Sequence, residues 1–288
     1  MMRRSSHNLH FTPEQIETFR AEIDALELPS VGSSFLDTYL SHVAPPLMSS
    51  FPAETSSDAH LRNEGSLSKG DKLREDVVVV ASQINACESN VPDDLRELVH
   101  SVLLIAQLAA RKKDADNADA YWTKYWESLV RIGWLDVSVT EVKKAIVKTD
   151  VSVHEQIETI LLASVPGFEA APIVSAFLHS LKDVNPNSSW ITLFHHSARK
   201  TNGASFQFSD TQMGPGNVIT LDLVGIFLDA NVSCTQVLFF KYPAVDASLR
   251  IVRKRLQTTP GCLKRLAKNI KKKAKPYYAR EIASIMDL

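Results

Sequence analysis

The sequence predicts an α+β protein: N-terminal helices packed on an antiparallel sheet of about four or more strands, closed by C-terminal basic helices. Three observations lead to this fold class. Apolar residues recur with helical spacing over residues 10–182, short alternating runs fill 189–242, and helical spacing returns with a strong positive charge over 245–288. We take the three parts to form a single compact domain over residues 1–288.

The helical part opens with a clear start signal. Thr12-Pro13-Glu14-Gln15 combines a capping box with proline at the first helical position. A second helix is expected to open within Val91–Asp94 and to be central, because its apolar residues are too numerous for one buried side. A third, from about Asp116 to Ile132, carries an aromatic stripe typical of core packing and ends with Gly133 at the C′ position.

Two other stretches of this part are assigned from composition and spacing. Residues 71–182 as a whole are interpreted as helical in pieces, including a segment near 140–148. Residues 45–70 are rich in Pro, Ser and Gly with isolated charges, a composition that buries too little apolar surface to order itself. We therefore expect a flexible loop over 45–70.

The predicted sheet consists of four runs separated by turn residues. The runs are WITLFHHSA, ASFQF, VITLDLVGIFL and SCTQVLFFKY, and the separators are TNG, GPGN and DAN. Alternation within the second and third runs predicts an antiparallel meander with one face buried under the helices. Gly225 interrupts the alternation of the third run and is predicted to mark a bulge.

The net charge of the whole chain is near neutral, but two parts of the chain carry net charges of opposite sign. Residues 247–280 contain twelve Lys or Arg and no Asp or Glu, whereas the rest of the chain has 20 basic and 33 acidic residues. Three interpretations stay open: a solvated helix face, a surface for anionic membrane lipid, and a nucleic-acid surface. Lipid is favoured over nucleic acid, because no nucleic-acid motif is present and the basic stripe lacks aromatic residues before Tyr277. The candidate anion-binding residues are Arg253, Lys254, Arg255, Lys264, Arg265, Lys268, Lys271, Lys272 and Lys273.

Catalytic and metal-binding patterns are not recognisable in the sequence. His195 and His196 are adjacent on a predicted strand and point to opposite faces, which excludes a shared metal site on that strand. The two serine–x–x–lysine matches fall in a strand end and a loop, where the lysine cannot lie one helical turn from the serine. We therefore expect a protein that is not an enzyme, with no metal and no catalytic residues.

Three cysteines, Cys87, Cys234 and Cys262, are widely spaced, so neither a disulfide framework nor a disulfide-linked partner is expected. Cys234 lies in the last predicted strand, where counting by twos places it on one face with Val232, Leu238 and Phe240. That face is expected to point inward. A free cysteine there is typically a small inert hydrophobic residue.

The order of features after residue 90 resembles a known group of proteins. AYWTKYWESLVRIGW, the strands FQF and VITLDLVGIFL, then CTQVLFFKY and a final basic segment ending YYAREIASIM are similar to the Erwinia virulence factor-like group of bacterial and fungal proteins. The resemblance implies an α/β fold and a fatty acyl chain, such as palmitate, held as a thioester on a cysteine sheltered in the fold. Cys234 is the acylation candidate because it points inward, and Cys262 and Cys87 are the alternatives. An exposed acylated Cys262 beside a basic helix would be an ordinary membrane anchor.

These observations predict a non-enzymatic virulence or toxin-like effector that associates with lipid, through an acyl thioester or through the basic helices. The alternative is an interaction module that binds nucleic acid or an anionic protein through the same helices. No apolar run reaches the roughly 20 residues of a membrane span, and no apolar stretch follows the N-terminal arginines. We expect a cytoplasmic protein, or one exported without a classical signal peptide, with peripheral membrane association.

Overall fold

The computed structural model describes residues 9–30, 77–88, 90–114, 118–146, 199–200, 203–230, 247–278 and 282–284. The predicted loop at 45–70, the helical pieces beyond residue 146 and the outer strand runs at 190–198 and 233–242 lie outside these residues. The helices of the described part are α1 (Pro13–Ala25), α2 (Asp93–Asp114), α3 (Ala118–Arg131) and α4 (Pro260–Ala274), followed by a 3₁₀-helix (Lys275–Tyr277). None of these helices is long and apolar enough to cross a bilayer.

Within the described residues, eight strands form one mixed sheet in the order β3-β7-β6-β5-β2-β1-β8, with β4 paired to β5. The β2–β5 pair is parallel, and the other pairs are antiparallel. The strands are β1 (Val77–Val80), β2 (Gln83–Cys87), β3 (Leu135–Ile146), β4 (Arg199–Lys200), β5 (Gly203–Gly214), β6 (Val218–Ala230), β7 (Ala247–Thr258) and β8 (Ile282–Ser284). The α+β class is therefore confirmed.

The three N-terminal helix predictions are confirmed, and local chemistry explains the start of α1 and the end of α3. The backbone N–H of Gln15 donates to Oγ1 of Thr12 at 3.2 Å, and the backbone N–H of Thr12 donates to Oε1 of Gln15 at 2.8 Å. This reciprocal pair satisfies two amides that the first helical turn leaves without partners. At the end of α3, Gly133 has φ of +100°, the left-handed conformation that glycine adopts at low cost.

The central hairpin of the predicted meander is also confirmed. Strands β5 and β6 pair antiparallel from Gly203↔Asp229 to Gly214↔Val218 without a register shift. The turn uses Gly216 at φ +77° and Asn217 at φ +59°, two residue types that tolerate positive φ.

Three segments assigned to helix are strands. Residues 77–80 and 83–87 form the β1–β2 hairpin, and residues 135–146 form β3, which overlaps the helix predicted near 140–148. β3 is rich in β-branched residues, including Val137, Val139 and Thr140, whose χ1 stiffness favours extended backbone. It also gains a ladder with β7 along most of its length, a long-range contact that local spacing does not report.

The basic C-terminal part is not helical from residue 245. Residues 247–258 form β7 in the interior of the sheet, between β3 and β6, and helix begins only at Pro260. The sequence SLRIVRKRLQT does not alternate between apolar and polar residues, but the cations at 253–255 find carboxylate partners on the neighbouring strands β6 and β3. Residues 282–284 pair with β1 as a further strand.

The helices cover one face of the sheet, where Ile219, Leu221, Leu223 and Phe227 of β6 join the helical core. Gly225 lies in this row with an unbroken register, so the bulge predicted there is wrong; the register shift lies in β3, between Asp136 and Ser138. The absence of a side chain at Gly225 instead admits Trp122, whose ring atoms lie 2.8–3.0 Å from where a Cβ would be. The opposite face is also buried, at Val79, Phe206 and Phe208 among others.

Candidate functional site

The basic helix α4 is oriented by its apolar stripe. Oγ1 of Thr259 accepts a hydrogen bond from the backbone N–H of Cys262 at 3.1 Å, and Pro260 occupies the first turn. The buried side of the helix packs against α1 and α2 and consists of Cys262, Leu263, Leu266, Ile270 and Ala274. Because the helix is anchored along this stripe, its cations are distributed over the remaining sides.

Two cations of α4 are paired with carboxylates of α2. Nζ of Lys264 lies 2.8 Å from Oδ2 of Asp94, and Nζ of Lys271 lies 2.5 Å from Oε2 of Glu97. Hydrogen bonding by Lys264 lowers the pKa of Asp94, and hydrogen bonding by Glu97 raises the pKa of Lys271. Both pairs are solvent-accessible and contribute little to stability, but they neutralise the positive charge on this side of the helix.

A third side of α4 faces α1. Nζ of Lys273 donates to the backbone carbonyl of Asp24 at 2.9 Å, and Nδ2 of Asn269 donates to the Asp24 carboxylate at 3.1 Å. Nearby, the guanidinium of Arg20 donates to the backbone carbonyl of Arg265 at 3.0 Å. These contacts fix the helix against α1 and direct Lys273 away from the outer surface.

The outer side of α4 and its C-cap residue carry four exposed cations, which we call the cationic ridge: Arg265, Lys268, Lys272 and Lys275. The spacing of i, i+3, i+7 and i+10 keeps them on one side of the helix. Among the residues that the structure describes, no carboxylate lies within ion-pair distance of these four side chains. The ridge is thus the exposed part of the basic segment whose charge has no carboxylate partner among the described residues.

The two tyrosines after α4 are engaged with the protein. The hydroxyl of Tyr277 donates to the backbone carbonyl of Pro29 at 2.6 Å, and the hydroxyl of Tyr278 is hydrogen-bonded to Oγ of Ser101. Both tyrosines tie the end of the basic segment to other helices. Their rings are half-buried and are not displayed beside the ridge as a platform for stacking.

Three of the predicted anion-binding residues lie in β7, apart from α4. Arg253 and Arg255 contact the buried carboxylate of Asp222, with nitrogen–oxygen distances of 3.1 Å and 2.7 Å. Nζ of Lys254 lies 3.3 Å from the centre of the Trp126 ring and 3.6 Å from Oδ2 of Asp136. The structure therefore separates the nine predicted cations into those in the sheet, those paired with α1 or α2, and those of the ridge.

The acylation candidate Cys234 lies outside the described residues, but its two alternatives lie within them. Cys87 is 1% exposed at the end of β2, and Cys262 is 2% exposed in the first turn of α4. Burial raises the pKa of the Cys87 thiol to about 12 and that of the Cys262 thiol to about 11. Both are free thiols, and Cys262 does not present its sulfur to solvent as a surface anchor would.

Cys87 has a histidine neighbour that sequence reasoning missed. Nε2 of His100 lies 3.7 Å from Sγ of Cys87, and Nδ2 of Asn85 donates to the same sulfur at 3.6 Å. Burial lowers the pKa of His100 to about 4, so both partners are neutral at neutral pH. A nucleophilic cysteine requires the thiolate, and this pair therefore packs the core without activating the sulfur. The partners lie in separate elements, which no local motif reveals.

The rate of alkylation measures the reactivity of the Cys87 and Cys262 thiols directly. At pH 8 a thiol with a pKa near 12 is ionised to about one part in ten thousand and one with a pKa near 11 to about one part in a thousand, so we expect native Cys87 to resist iodoacetamide and Cys262 to react up to about tenfold faster but still slowly. Unfolding in urea should expose both to rapid labelling, which peptide mass spectrometry quantifies. Fast labelling of native Cys87 at neutral pH would show that the sulfur is accessible and activated.

The described residues contain no group of three or more His, Cys, Asp or Glu side chains that could hold a metal ion.

Comparison with known proteins gives weak likenesses of fold. No family model matches the chain, and no curated protein matches it. Among solved structures, the chain resembles a delta-endotoxin with 8% identity and a TM-score of 0.37, over 71% of this chain and 91% of that one. It resembles the activated Cyt2Ba monomer from Bacillus thuringiensis subsp. israelensis with 10% identity and a TM-score of 0.32, over 62% of this chain and 96% of that one. It also resembles the Evf virulence factor with 10% identity and a TM-score of 0.35, over 68% of this chain and 84% of that one. The resemblance to the Erwinia virulence factor-like group is thereby confirmed as a weak structural likeness.

Proposed function

We propose that this protein is a non-enzymatic, virulence- or toxin-type effector that attaches to anionic lipid surfaces through the cationic ridge. The effector role rests on the sequence resemblance. The lipid association rests on one observation: four exposed cations lie on one side of α4 and its C-cap without a described carboxylate partner, while the other cations of α4 are paired or held by backbone.

The free energy of this electrostatic attraction sets how tightly the ridge can bind a membrane. A basic residue near an anionic bilayer contributes about 1 kcal/mol, so four contribute about 4 kcal/mol. That free energy corresponds to a dissociation constant of about 1 mM, which is reversible binding. Stable attachment requires a second contribution, such as an acyl chain buried in the membrane.

Lipid suits the ridge better than nucleic acid. Proteins that bind single strands combine a basic groove with aromatic side chains on which bases stack. Here Tyr277 and Tyr278 are hydrogen-bonded to other parts of the protein, and the ridge itself consists of cations only. A row of cations along one side of a helix matches a plane of anionic headgroups.

Binding to vesicles and to nucleic acid at two salt concentrations tests the proposal. We expect binding to phosphatidylserine-containing vesicles, no binding to phosphatidylcholine vesicles, and weakening as salt screens the charges. Vesicle co-sedimentation and fluorescence anisotropy with an oligonucleotide give the two affinities. Tight, salt-sensitive oligonucleotide binding without vesicle binding would favour the alternative interaction module. Binding to neither would show that the ridge is only a solvated helix face.

We propose further that Cys234 carries an acyl thioester, whose chain supplies the second contribution once it leaves the interior of the fold and enters the bilayer. The thiols of Cys87 and Cys262 have raised pKa values and are therefore poor nucleophiles for acylation, which supports Cys234 as the residue that carries the chain. We expect protein purified from its native host to lose the mass of one fatty acyl chain on hydroxylamine treatment. Cys234→Ser should abolish that loss, and Cys262→Ser should retain it. An unmodified intact mass in native protein would refute acylation and leave the ridge proposal unaffected.

A further inference from the structure

The interface between the helices and the sheet is polar on one half and apolar on the other. On β6 the side chains that face the helices are apolar, as at Leu221, Leu223 and Phe227. The neighbouring strands present polar side chains on the same face, each at most 1% exposed: Gln83 and Asn85 of β2, with Ser205, Gln207, Ser209 and Thr211 of β5. Buried polar groups in proteins have hydrogen-bond partners, so each of these requires one.

The orientation of the Gln83 amide follows from a chain of hydrogen bonds. The backbone carbonyl of Val80 can only accept, so it selects the Nε2 end of Gln107, at 2.9 Å. The same Nε2 donates to Oε1 of Gln83 at 3.2 Å, and the hydroxyl of Tyr125 donates to that oxygen at 2.6 Å. Two donors thus fix the oxygen of Gln83, and its Nε2 is a buried donor with no protein partner.

Gln207 lies beside this donor. Its register neighbours are Gln83 on β2 and Gly225 on β6, and neighbouring strands lie about 4.8 Å apart. Both Oε1 and Nε2 of Gln207 are buried and have no protein partner. The two adjacent amides therefore do not bond each other, although their chemistry is complementary.

Trp122 and Ser205 complete the cluster. The Trp122 ring lies over Gly225, the neighbour of Gln207, and its Nε1 is a buried donor without a protein partner. Ser205 is two residues from Gln207 on the same face of β5, and its Oγ also lacks a partner. Leaving a buried polar group unsatisfied costs about 1–3 kcal/mol, so the unsatisfied atoms of these four side chains would together carry a large penalty.

We propose that this cluster is an internal hydration site in which ordered water bridges the amides of Gln83 and Gln207. A water molecule there accepts from Nε2 of Gln83 and donates to Oε1 of Gln207. Nε1 of Trp122 and Oγ of Ser205 supply further hydrogen bonds. Buried water typically makes about three such bonds, which the cluster provides. The proposed water therefore lies on the polar β2–β5 side of the helix–sheet interface, next to the apolar side chains of β6.

Nuclear magnetic resonance of the intact protein tests the site. We expect exchange-filtered cross-peaks from long-lived water to the indole N–H of Trp122 and to the side-chain amide of Gln83. In Gln207→Leu the count of long-lived waters, measured by relaxation dispersion of water oxygen, should fall by at least one. Thr18→Ala is the control, because it removes an exposed hydroxyl on α1 and leaves the side chains of the interface unchanged, and the count should stay the same.

If Gln207→Leu fails to fold, measurements on the wild-type protein still test the proposed water site. A crystal structure at high resolution should show water density between the Gln83 and Gln207 amides. No density there, together with no water cross-peak to Trp122, would overturn the proposal. An equal water count in wild type and folded Gln207→Leu would overturn it as well.

Discussion

Replacing all four ridge residues with glutamine is expected to weaken binding to anionic vesicles by about a thousandfold. Each cation contributes about 1 kcal/mol near such a surface, and about 1.4 kcal/mol corresponds to a tenfold change in affinity. The variant carries Arg265→Gln, Lys268→Gln, Lys272→Gln and Lys275→Gln. Vesicle titration at low ionic strength measures the loss, and the difference should shrink as salt is added.

The fold should not change in this variant. The four side chains are exposed and have no ion pair with a described residue, and such surface substitutions usually shift stability by no more than about 0.5 kcal/mol. Circular dichroism and the urea midpoint should therefore match wild type. Unchanged vesicle binding by the folded variant would show that lipid association does not depend on the ridge.

Asp222→Ala is expected to destabilise the protein by about 3 kcal/mol. Asp222 is 1% exposed in β6, and its carboxylate accepts hydrogen bonds from both Arg253 and Arg255 of β7. Removing it leaves two guanidinium groups against the sheet without that counter-charge, a change that typically costs 3–5 kcal/mol for a buried pair. We take the lower end because Arg255 keeps 34% of its side chain in water. Urea unfolding followed by tryptophan fluorescence measures the difference.

Asp119→Ala is the matched control for Asp222→Ala. Asp119 also pairs with an arginine of β7, Arg250, but its side chain is 74% exposed. An ion pair of this kind contributes at most about 1 kcal/mol. Equal losses of stability in the two variants would show that burial does not set the strength of the Asp222 contacts.

Local chemistry explains which parts of the fold were predictable. The capping box at Thr12, the glycine after α3 and the glycine-rich turn between β5 and β6 act within a few residues of their own positions. Strand β7 was not predictable in this way. Its charge suggested a solvated helix, and only pairing with Asp222, distant in sequence, shows that Arg253 and Arg255 belong to a sheet interior.

The candidate site was predictable in part for the same reason. The sequence located the positive charge and the stripe on α4, and those are properties of one segment. It could not tell which cations were neutralised, because Lys271 and its partner Glu97 are 174 residues apart. Lys275, which belongs to the ridge, was not among the predicted residues. The clustering of Gln83, Gln207 and Trp122 likewise follows from strand order, which no local pattern encodes.

The most direct test of lipid attachment compares two double variants of α4 with the same change in net charge. Lys268→Gln with Lys272→Gln removes ridge cations, whereas Lys264→Gln with Lys271→Gln removes cations already paired with Asp94 and Glu97. If the ridge binds the membrane, the first variant should lose about thirtyfold in affinity for phosphatidylserine vesicles, because two cations contribute about 2 kcal/mol together. The second variant should lose only a few fold. Equal losses in the two variants would contradict binding through the ridge, because binding would then follow net charge and not the exposed side of the helix.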